Sequence, residues 1–386
     1  MATLPYPPRP GQEAMLGAVQ DAQAEGFHLA VEAATGTGKT VTALAASLAT
    51  TAADGRRILW TTRTNSQQAQ VVREHQAIAA SGQDAGLLVP FMGRRHHCPL
   101  LRTDPRFADA TPDELGRLCR DAKRKAEQAR ATGKPVEGAC PFYLRLLRDG
   151  PGPVEALLRQ GGLGGAELAQ RIEGAGSCPY EALKLVLPQA RTVVVPYPFL
   201  LDGGLRTRLL QWMGVGPDEC HLVVDEAHHL PDAAREHHSL RLTLESLRRA
   251  QKEAEEYGDP ALAGAMLASG LVDALLRSLH GLVAECIPDG DDGLVPPGTL
   301  EESLLLALRV PSPTLQRAAL ELERWGDAVR EDRRAKGRLP RSYLGNLGTF
   351  LRLWWEHRDA PYVHLVLGGE NPALEMYLLD PSALLA

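Results

Sequence analysis

Apolar residues near the start of the chain recur first with the period of a strand and then with the period of a helix. Residues 27–33 alternate between apolar and polar positions and predict a buried strand. After Thr40, apolar side chains recur at helical spacing. A second strand is predicted at residues 57–61, followed by a helix from Ser66. This order predicts an α/β domain built on a parallel sheet.

The pattern changes further along the chain. Residues 91–180 lose the strand–helix alternation, and residues 181–232 regain it. Residues 233–360 are predicted to be helical, including the apolar positions 262, 266, 267 and 271. Residues 361–386 contain two alternating segments, which we predict to be strands that rejoin the first sheet. With residues 1–90 as the first α/β segment, this gives five consecutive parts.

A glycine-rich turn separates the first predicted strand from the first predicted helix. Residues 33–40 read Ala-Ala-Thr-Gly-Thr-Gly-Lys-Thr, and a strand, this turn and a helix together form the context of a phosphate-binding P-loop. The backbone N–H groups of Gly36, Thr37 and Gly38 would converge on phosphate oxygens. Lys39 would reach the terminal phosphates, and the Thr40 hydroxyl would bind Mg²⁺.

The second motif, Asp225-Glu226-Ala227-His228, follows a short apolar run at residues 221–224. Carboxylates at strand ends in α/β sheets face the crevice in which nucleotides bind. Asp225 would hold Mg²⁺ through water, and Glu226 would activate the water that attacks the γ-phosphate. His228 would lie beside them and link the phosphate site to another surface.

The chain has 386 residues and six cysteines, and it lacks a signal-like N-terminus or an apolar stretch long enough to span a bilayer. We therefore expect a cytoplasmic protein, in the nucleoid or nucleus if DNA-bound, with no membrane partner. Clustered thiols in a reducing compartment are more often metal ligands than disulfides. Four of them, Cys98, Cys119, Cys140 and Cys178, are separated by 20, 20 and 37 residues. Four thiolates suit either a [4Fe–4S] cluster or a zinc ion, whereas Cys220 and Cys286 are expected to be structural.

The formal net charge of −6 argues against a general polyanion-binding surface, so contacts with DNA must come from local patches. Arg63 follows a predicted strand end, and Arg94 lies four residues before Cys98, so both are candidates for DNA contact. Tyr197, in a Pro-Tyr-Pro turn, is a candidate for stacking on bases. The ordinary alternatives are solvated arginines and a packed tyrosine. The run at residues 123–125 is expected to be a solvated helix face.

Taken in order, these motifs resemble those of the XPD/DinG family of superfamily 2 DNA helicases, and the XPD branch most closely. The matching segments run through the chain: residues 9–12 (RPGQ), the P-loop, residues 62–67 (TRTNSQ), residues 93–99 (GRRHHCP), the other three cysteines, residues 193–197 (VVVPY) and residues 224–228 (VDEAH). The resemblance implies a RecA-like P-loop sheet (helicase domain 1) with an iron–sulphur insertion and an all-helical arch insertion. It favours a [4Fe–4S] cluster over zinc, and it implies ATP, Mg²⁺, 5′→3′ movement on single-stranded DNA and contact of Gln12 with the adenine edge.

Family members continue into a second RecA-like domain with an arginine finger, and no second α/β alternation follows residue 232 here. We expect either a truncated chain or a partner chain that carries this domain, and slow ATP hydrolysis by the present chain alone. Two alternatives are a DNA- or nucleotide-binding regulator without translocation, and a P-loop ATPase with a structural zinc domain.

Overall fold

A computed structural model of the protein describes residues 3–108, 110–264, 266–288 and 290–382. The chain forms two compact units, Met1–Leu230 and Pro231–Ala386. Over the described ranges, no helix is both long enough and apolar enough to cross a bilayer.

The first unit combines one sheet with many helices. Its strands are β1 (Arg57–Thr62), β2 (Leu88–Pro90), β3 (Thr192–Pro196) and β4 (Cys220–Val224). Its helices are α1 (Gln12–Glu25), α2 (Lys39–Asp54), α3 (Asn65–Ala80), α4 (Arg94–His97), α5 (Pro99–Thr103), α6 (Pro112–Thr132), α7 (Pro141–Asp149), α8 (Gly152–Gln160), α9 (Gly165–Gly174), α10 (Pro179–Val186), α11 (Pro198–Leu201) and α12 (Gly203–Met213).

The four strands form a parallel sheet in the order β2-β3-β1-β4. Central β1 pairs Leu59 with Val193 of β3 on one side and with Leu222 of β4 on the other. Strands β1 and β3 are almost entirely buried, as expected for parallel strands covered by helices on both faces. The predicted α/β sheet is therefore present. Between β2 and β3 the chain runs through α4 to α10, which corresponds to the segment where the alternation was lost.

The strand predicted at residues 27–33 is not formed, so that prediction is wrong in this structure. Its alternating apolar side chains are exposed: Phe27 by 68%, Leu29 by 45% and Val31 by 39%. Alternation creates an apolar face, but a strand also needs a neighbour that pairs with its backbone. In the described part of the chain the sheet ends at β4, where Leu222 is 49% exposed.

The second unit contains helices and a sheet of its own. The helices are α13 (Leu230–His238, which starts at the unit boundary), α14 (Leu244–Glu256), α15 (Ala268–Cys286), α16 (Thr299–Leu308), α17 (Ser312–Ala335) and α18 (Tyr343–Glu356). The strands are β5 (Leu240–Thr243), β6 (Ala261–Leu262), β7 (Met266–Leu267), β8 (Asp292–Leu294), β9 (Tyr362–Leu367) and β10 (Ala373–Leu378).

Two predictions for this unit are corrected. It is not all-helical, because β6 and β7 form a small antiparallel pair where a helix was predicted. Strands β9 and β10 do form, but they do not rejoin the first sheet: the order of the second sheet is β5-β10-β9-β8. The prediction of return strands failed because pairing depends on which edges are available in space, and β10 pairs antiparallel with both β5 and β9. In addition, a short apolar run in a sequence does not distinguish a helix from a strand.

Helices α17 and α18 pack closely because glycines face each other at their contact. A Cβ atom on Gly326 would lie 2.4 Å from the Cα atom of Gly345, so neither position tolerates a side chain without separating the helices. The same unit buries Trp354, whose ring stacks on His364 with 3.8 Å between centroids. Trp354 thus belongs to the apolar core of this unit.

Candidate nucleotide site and cysteine cluster

The carboxyl ends of β1, β3 and β4 meet at one edge of the parallel sheet. Arg63, Tyr197 and Asp225 are the residues that directly follow these strands. Backbone hydrogen bonds continue the sheet by one residue here: Tyr197 N donates to Thr62 O and Asp225 N to Thr61 O, each at 3.0 Å. Parallel strands therefore bring together three motifs that are far apart in sequence.

The predicted P-loop is an irregular turn that ends at the N-terminus of α2. Gly36 and Gly38 have φ values of 81° and 84°, in the left-handed region that favours glycine, and Gly38 is the N-cap of α2. Thr37 Oγ1 donates to Ala34 O at 2.8 Å, and Lys39 Nζ donates to Ala33 O at 2.7 Å. The turn thus folds back on itself in front of a 16-residue helix, whose first amides and dipole favour an anion. Thr40 is the second residue of that helix and is half-buried.

Gln12 links the N-terminal segment to the P-loop. Its side chain is only 6% exposed; Nε2 donates to Thr42 Oγ1 at 3.0 Å, and Oε1 accepts a hydrogen bond from Arg9 N at 2.8 Å. The guanidinium of Arg9 donates to Gly36 O. Contact of Gln12 with adenine would require the amide to leave these partners, so that role stays a prediction.

Asp225 and Glu226 form an acidic pair at the end of β4. Burial, and then the charge of Glu226, raise the pKa of Asp225 above its ordinary value, while Trp60 and Lys39 act in the opposite direction. A half-buried carboxylate beside another carboxylate is suited to a divalent cation. Glu226 has a φ of 52°, which is uncommon for a residue with a side chain and is found at functional turns. His228 Nδ1 lies 3.3 Å from Glu226 Oε2, on a side chain that is 65% exposed.

Tyr197 does not have the role predicted from the sequence. Its side chain is 2% exposed, so it has no free face for a base, and the stacking prediction is wrong. The hydroxyl instead donates to the carbonyl oxygens of Asp225 and Glu226, the latter at 3.0 Å. Burial and the two neighbouring carboxylates raise the pKa of Tyr197 to about 12. The side chain therefore supports the acidic turn from inside the protein.

Arg63 is exposed at the sheet edge, as a DNA-contacting residue would be. Its Nη1 lies 3.1 Å from Nδ1 of His229, the residue after the acidic motif. One exposed cation therefore lies next to the segment that carries Glu226 and His228. Its contact with DNA stays a prediction.

Three of the four predicted ligand cysteines have the same local geometry. Cys98, Cys140 and Cys178 are the N-caps of α5, α7 and α10, and in each helix proline is the first residue. Proline has no N–H group, so the amides after it are the first that can donate to the sulphur. Burial raises the pKa of all three thiols, and hydrogen bonds from these amides act in the opposite direction: from Leu100 and Leu101 to Cys98, from Phe142 and Tyr143 to Cys140, and from Glu181 to Cys178.

The fourth thiol, Cys119, lies within α6 and accepts a hydrogen bond from Arg94. Burial first, with smaller contributions from the neighbouring thiols Cys119 and Cys140, raises the pKa of Cys98 to about 11. Burial also raises the pKa of Cys178, with added contributions from Cys140 and Cys119. All four are free thiols that share one neighbourhood. In the described ranges, no group of three or more His, Cys, Asp or Glu side chains is arranged to hold a metal ion.

Arg94 belongs to this neighbourhood and not to the protein surface. Its side chain is 19% exposed, its Nη2 lies 3.6 Å from Glu181 Oε1, and its guanidinium stacks 4.3 Å from the ring centroid of Tyr180. Burial lowers the pKa of Arg94, but Cys119, Tyr180 and Glu181 outweigh it and keep the group charged. Its guanidinium is paired with Glu181 beside the thiols, and its contact with DNA stays a prediction.

Glu181 was not among the predicted site residues, and Lys123 is not the solvated residue that was predicted. Glu181 Oε2 lies 2.8 Å from Lys123 Nζ and 3.3 Å from Lys184 Nζ. Lys123 is thus partly withdrawn from solvent and paired, whereas its neighbour Arg124 is the solvated member of that run. The spacing in the sequence could have indicated that Lys123 lies near the thiols. Lys123 is four residues after Cys119, so the two lie on the same face of α6.

The two remaining cysteines lie elsewhere. Cys220 begins β4 and Cys286 ends α15; both are partly buried and pack against apolar clusters. Both positions agree with the structural roles predicted for them.

Three comparisons find similarity between this chain and known DNA helicases. The family model DEAD_2 matches residues 60–247. The chain is 29% identical to ATP-dependent DNA helicase DDX11 of Mus musculus over 213 residues, which cover 52% of this chain and 22% of that protein. It is 25% identical over 233 residues to the general transcription and DNA repair factor IIH helicase subunit XPD of Schizosaccharomyces pombe, covering 58% of this chain and 29% of the relative.

Two solved structures have a similar fold. The chain superposes on a structure named XPD_Helicase with a TM-score of 0.53 and 16% identity, covering 97% of this chain and 54% of the other. A structure named Truncated XPD gives a TM-score of 0.50 and 15% identity, covering 96% and 87%. These support the predicted RecA-like α/β fold with helical insertions. The chain spans less than a third of the length of either curated relative.

Proposed function

We propose that this chain, which belongs to the XPD/DinG-like superfamily 2 helicases, is the nucleotide- and single-strand-binding part of an ATP-dependent 5′→3′ DNA helicase with a [4Fe–4S] cluster. One observation carries the proposal. The P-loop and the acidic motif belong to the same unit as four free thiols that influence one another's pKa.

The nucleotide part of the proposal assigns each residue a step. Backbone amides of Gly36 and Gly38 and the N-terminus of α2 would bind the phosphates of ATP. The Lys39 side chain, which here donates a hydrogen bond to Ala33 O, would reorient towards the terminal phosphates. Thr40 and Asp225 would hold Mg²⁺, which offsets phosphate charge when bound.

Glu226 would orient the attacking water and accept its proton, while Tyr197 holds the turn that carries it. We place the cationic finger in a second RecA-like domain, either elsewhere in the same protein or in a partner chain. Such a finger is typically worth about 10³–10⁵ in kcat.

The cysteine part rests on the fit of four thiolates to a polynuclear cluster. Three sulphurs accept helix-end amides and the fourth accepts a hydrogen bond from Arg94, as sulphur ligands of iron commonly do. A four-iron cluster is larger than one ion, so its thiolates need not converge on a point. Four thiolates suit either a [4Fe–4S] cluster or a zinc ion, and the resemblance to the XPD/DinG family favours the cluster. When bound, the cluster would cross-link the helical segment between β2 and β3.

The test uses anaerobically purified protein and two variants, one of which should lose iron alone and the other nucleotide binding alone. Iron, zinc and sulphide are counted per chain, nucleotide affinity is measured by fluorescence titration, and single-strand affinity by anisotropy over a salt series. We expect about four irons, loss of iron but retained ATP binding in Cys98→Ser, and the reverse in Lys39→Ala. Cys286→Ser is the matched thiol control and should keep both.

Other outcomes select the alternatives. One zinc per chain with no affinity for DNA would indicate a P-loop ATPase with a structural zinc domain. Salt-sensitive DNA binding without strand separation, even when a second RecA-like chain is added, would indicate a regulator without translocation. Polarity is tested with duplexes that carry a 5′ or a 3′ single-stranded tail, and unwinding from the 3′ tail alone would contradict the proposal.

A further inference from the structure

Glu181 is a buried carboxylate that no step of the proposed function uses. It is 6% exposed and lies in the first turn of α10, three residues after Cys178. Its carboxylate meets three cations: Lys123 at 2.8 Å, Lys184 at 3.3 Å and Arg94 at 3.6 Å. Burial raises the pKa of Glu181, but the hydrogen bond from Lys123 and the charges of all three cations outweigh it, so the pKa is lowered and the group is charged.

The three cations come from the elements that carry the cysteines. Arg94 begins α4, which runs directly into Cys98. Lys123 lies one turn beyond Cys119 on α6, and Lys184 lies on α10, which Cys178 caps. One carboxylate thus connects the carriers of three of the four thiols.

Aromatic rings hold the outer sides of these cations. Lys184 Nζ is 4.3 Å from the ring centroid of Trp212, and Lys123 Nζ is 4.7 Å from that of Tyr143. Each ring attracts the cation through its face. The cations are therefore confined between rings and Glu181, and their positions depend on both.

Such an arrangement is poorly explained as a device for stability alone. Burying a carboxylate costs several kcal/mol, and an apolar replacement of similar volume is often as stable. Without Glu181, three cations would repel one another beside thiols that carry no charge while protonated. With it, the four side chains have an excess of two positive charges next to thiolates that become negative when they bind iron. The excess offsets that negative charge.

We propose that Glu181 is a positioning residue, which holds Arg94, Lys123 and Lys184 around the cysteine site, prepares the site for iron–sulphur cluster assembly and sets the charge that the bound cluster senses. This inference rests on the proposed cluster. It predicts two separable effects: the retention of iron, and the reduction potential of the cluster.

The experiment compares Glu181→Gln with Glu167→Gln in the full chain. Glu167 is an exposed carboxylate on α9 that forms an ion pair with Arg171 of the same helix. Iron and sulphide are counted after anaerobic purification, loss of colour is followed with an iron chelator, and the potential is measured by spectroelectrochemical titration. We expect Glu181→Gln to lose iron about tenfold faster, as changes beside metal ligands commonly do, and to shift the potential to a more positive value. Glu167→Gln should match the wild type in both.

Lys123→Gln should shift the reduction potential in the opposite direction. It removes a positive charge from the same cluster of side chains, so the potential should become more negative. Glu181→Asp keeps the charge and should restore the potential, with iron retention only partly recovered because the shorter side chain reaches fewer cations.

The outcomes separate this inference from the function on which it rests. A wild-type chain without iron would overturn the proposed cluster itself. Wild-type protein with iron, and a Glu181→Gln variant with unchanged retention and potential, would overturn the assignment of Glu181 alone. A Glu181→Gln variant that melts at lower temperature but keeps the wild-type potential in its iron-loaded fraction would also overturn it, because the role would then be structural only.

Discussion

The hydroxyl group of Tyr197 donates a hydrogen bond to the backbone carbonyl oxygen of Glu226, 3.0 Å away. Tyr197 directly follows β3 and Glu226 lies two residues beyond the end of β4, and β1 lies between these two strands in the sheet. Glu226 adopts a left-handed conformation, which costs of order 1–3 kcal/mol and persists only when its surroundings hold it. Tyr197 supplies part of that support from the buried side of the turn.

Tyr197→Phe is therefore expected to loosen the acidic turn. Removing the hydroxyl leaves two carbonyl groups with one partner fewer, and the free energy of unfolding should fall by about 1 kcal/mol. ATP hydrolysis should slow, while single-strand affinity should stay unchanged, as measured by urea denaturation, phosphate release and anisotropy. Tyr6→Phe, at a tyrosine that is 51% exposed, is the control. If Tyr197 instead stacked on bases, Tyr197→Phe should behave like the wild type, since phenylalanine stacks as tyrosine does.

The P-loop and the acidic motif should respond differently to substitution. Lys39→Ala removes the cation that would meet the terminal phosphates, so nucleotide binding should be lost. Glu226→Gln keeps the shape of the site but cannot accept a proton, so ATP affinity should persist while turnover falls by about 10²–10⁴. Titration with a fluorescent ATP analogue and a phosphate-release assay measure the two effects. Lys134→Ala, at an exposed lysine, is the control, and a parallel loss of affinity in Glu226→Gln would contradict the assignment.

Arg63 and Arg94 should differ although both were candidates for DNA contact. Arg63→Ala should weaken binding of single strands regardless of sequence and reduce the salt slope by about 1. Arg94→Gln should act on thermal stability and iron retention, because that side chain lies beside Cys119 and Glu181. Anisotropy over a salt series separates them. Arg73, an exposed arginine on α3, is the matched control for Arg63, and equal salt slopes for Arg63→Ala and Arg73→Ala would exclude a special role.

Two glycines of the second unit should respond to alanine in opposite directions. Gly345→Ala would place a Cβ atom 2.8 Å from the Cα atom of Gly326, which pushes α17 and α18 apart. Overpacking of this kind costs about 1–3 kcal/mol. Gly281→Ala in α15 meets open space and should stabilise the protein by about 0.5–1 kcal/mol, because alanine is the better helix former. Denaturant titrations measure both, and a stabilised Gly345→Ala would disprove the close contact.

Acid should destabilise the second unit through His364. Burial is the first cause that lowers the pKa of His364 from 6.5 to about 4, and its ring stacks on Trp354 in the neutral form. Between these two pH values the unfolded chain binds the proton and the folded chain does not, so the free energy of unfolding rises with pH. The contribution of neutral His364 is complete above pH 6.5 and is lost as the pH falls towards 4.

His364→Phe keeps a ring against Trp354 but cannot titrate. Its stability should therefore vary less with pH between about 4 and 6.5 than that of the wild type, in urea titrations at a series of pH values. His280→Asn, at an exposed histidine of α15, tests whether the loss of any histidine is enough to reduce the dependence of stability on pH. Parallel curves for wild type and His364→Phe would contradict the assignment.

Several elements could be read from the sequence because their signals are local. The helices after residue 299 and the strands β1, β3 and β4 follow from apolar periodicity and length. The P-loop turn and the acidic motif follow from residue type at fixed spacing. The four thiols were identified by their number and their compartment, and the structure places them within electrostatic reach of one another.

The errors share one physical cause, which is that the same local pattern fits two environments. Residues 27–33 alternate as a strand does, yet nothing pairs with them here, and β9 and β10 pair in the second sheet and not in the first. Tyr197 has the right chemistry for stacking on bases, but it is buried under the acidic turn.

By itself, the sequence determined the chemistry available to this protein: a phosphate-binding turn, an acidic strand end and four thiols, each written in residue type and short-range spacing. Only the tertiary structure decided which groups face solvent and which meet each other, as Glu181 meets three cations from three elements. The reason is that burial and ion pairing depend on the packing of residues distant in the chain, and no local pattern records that packing.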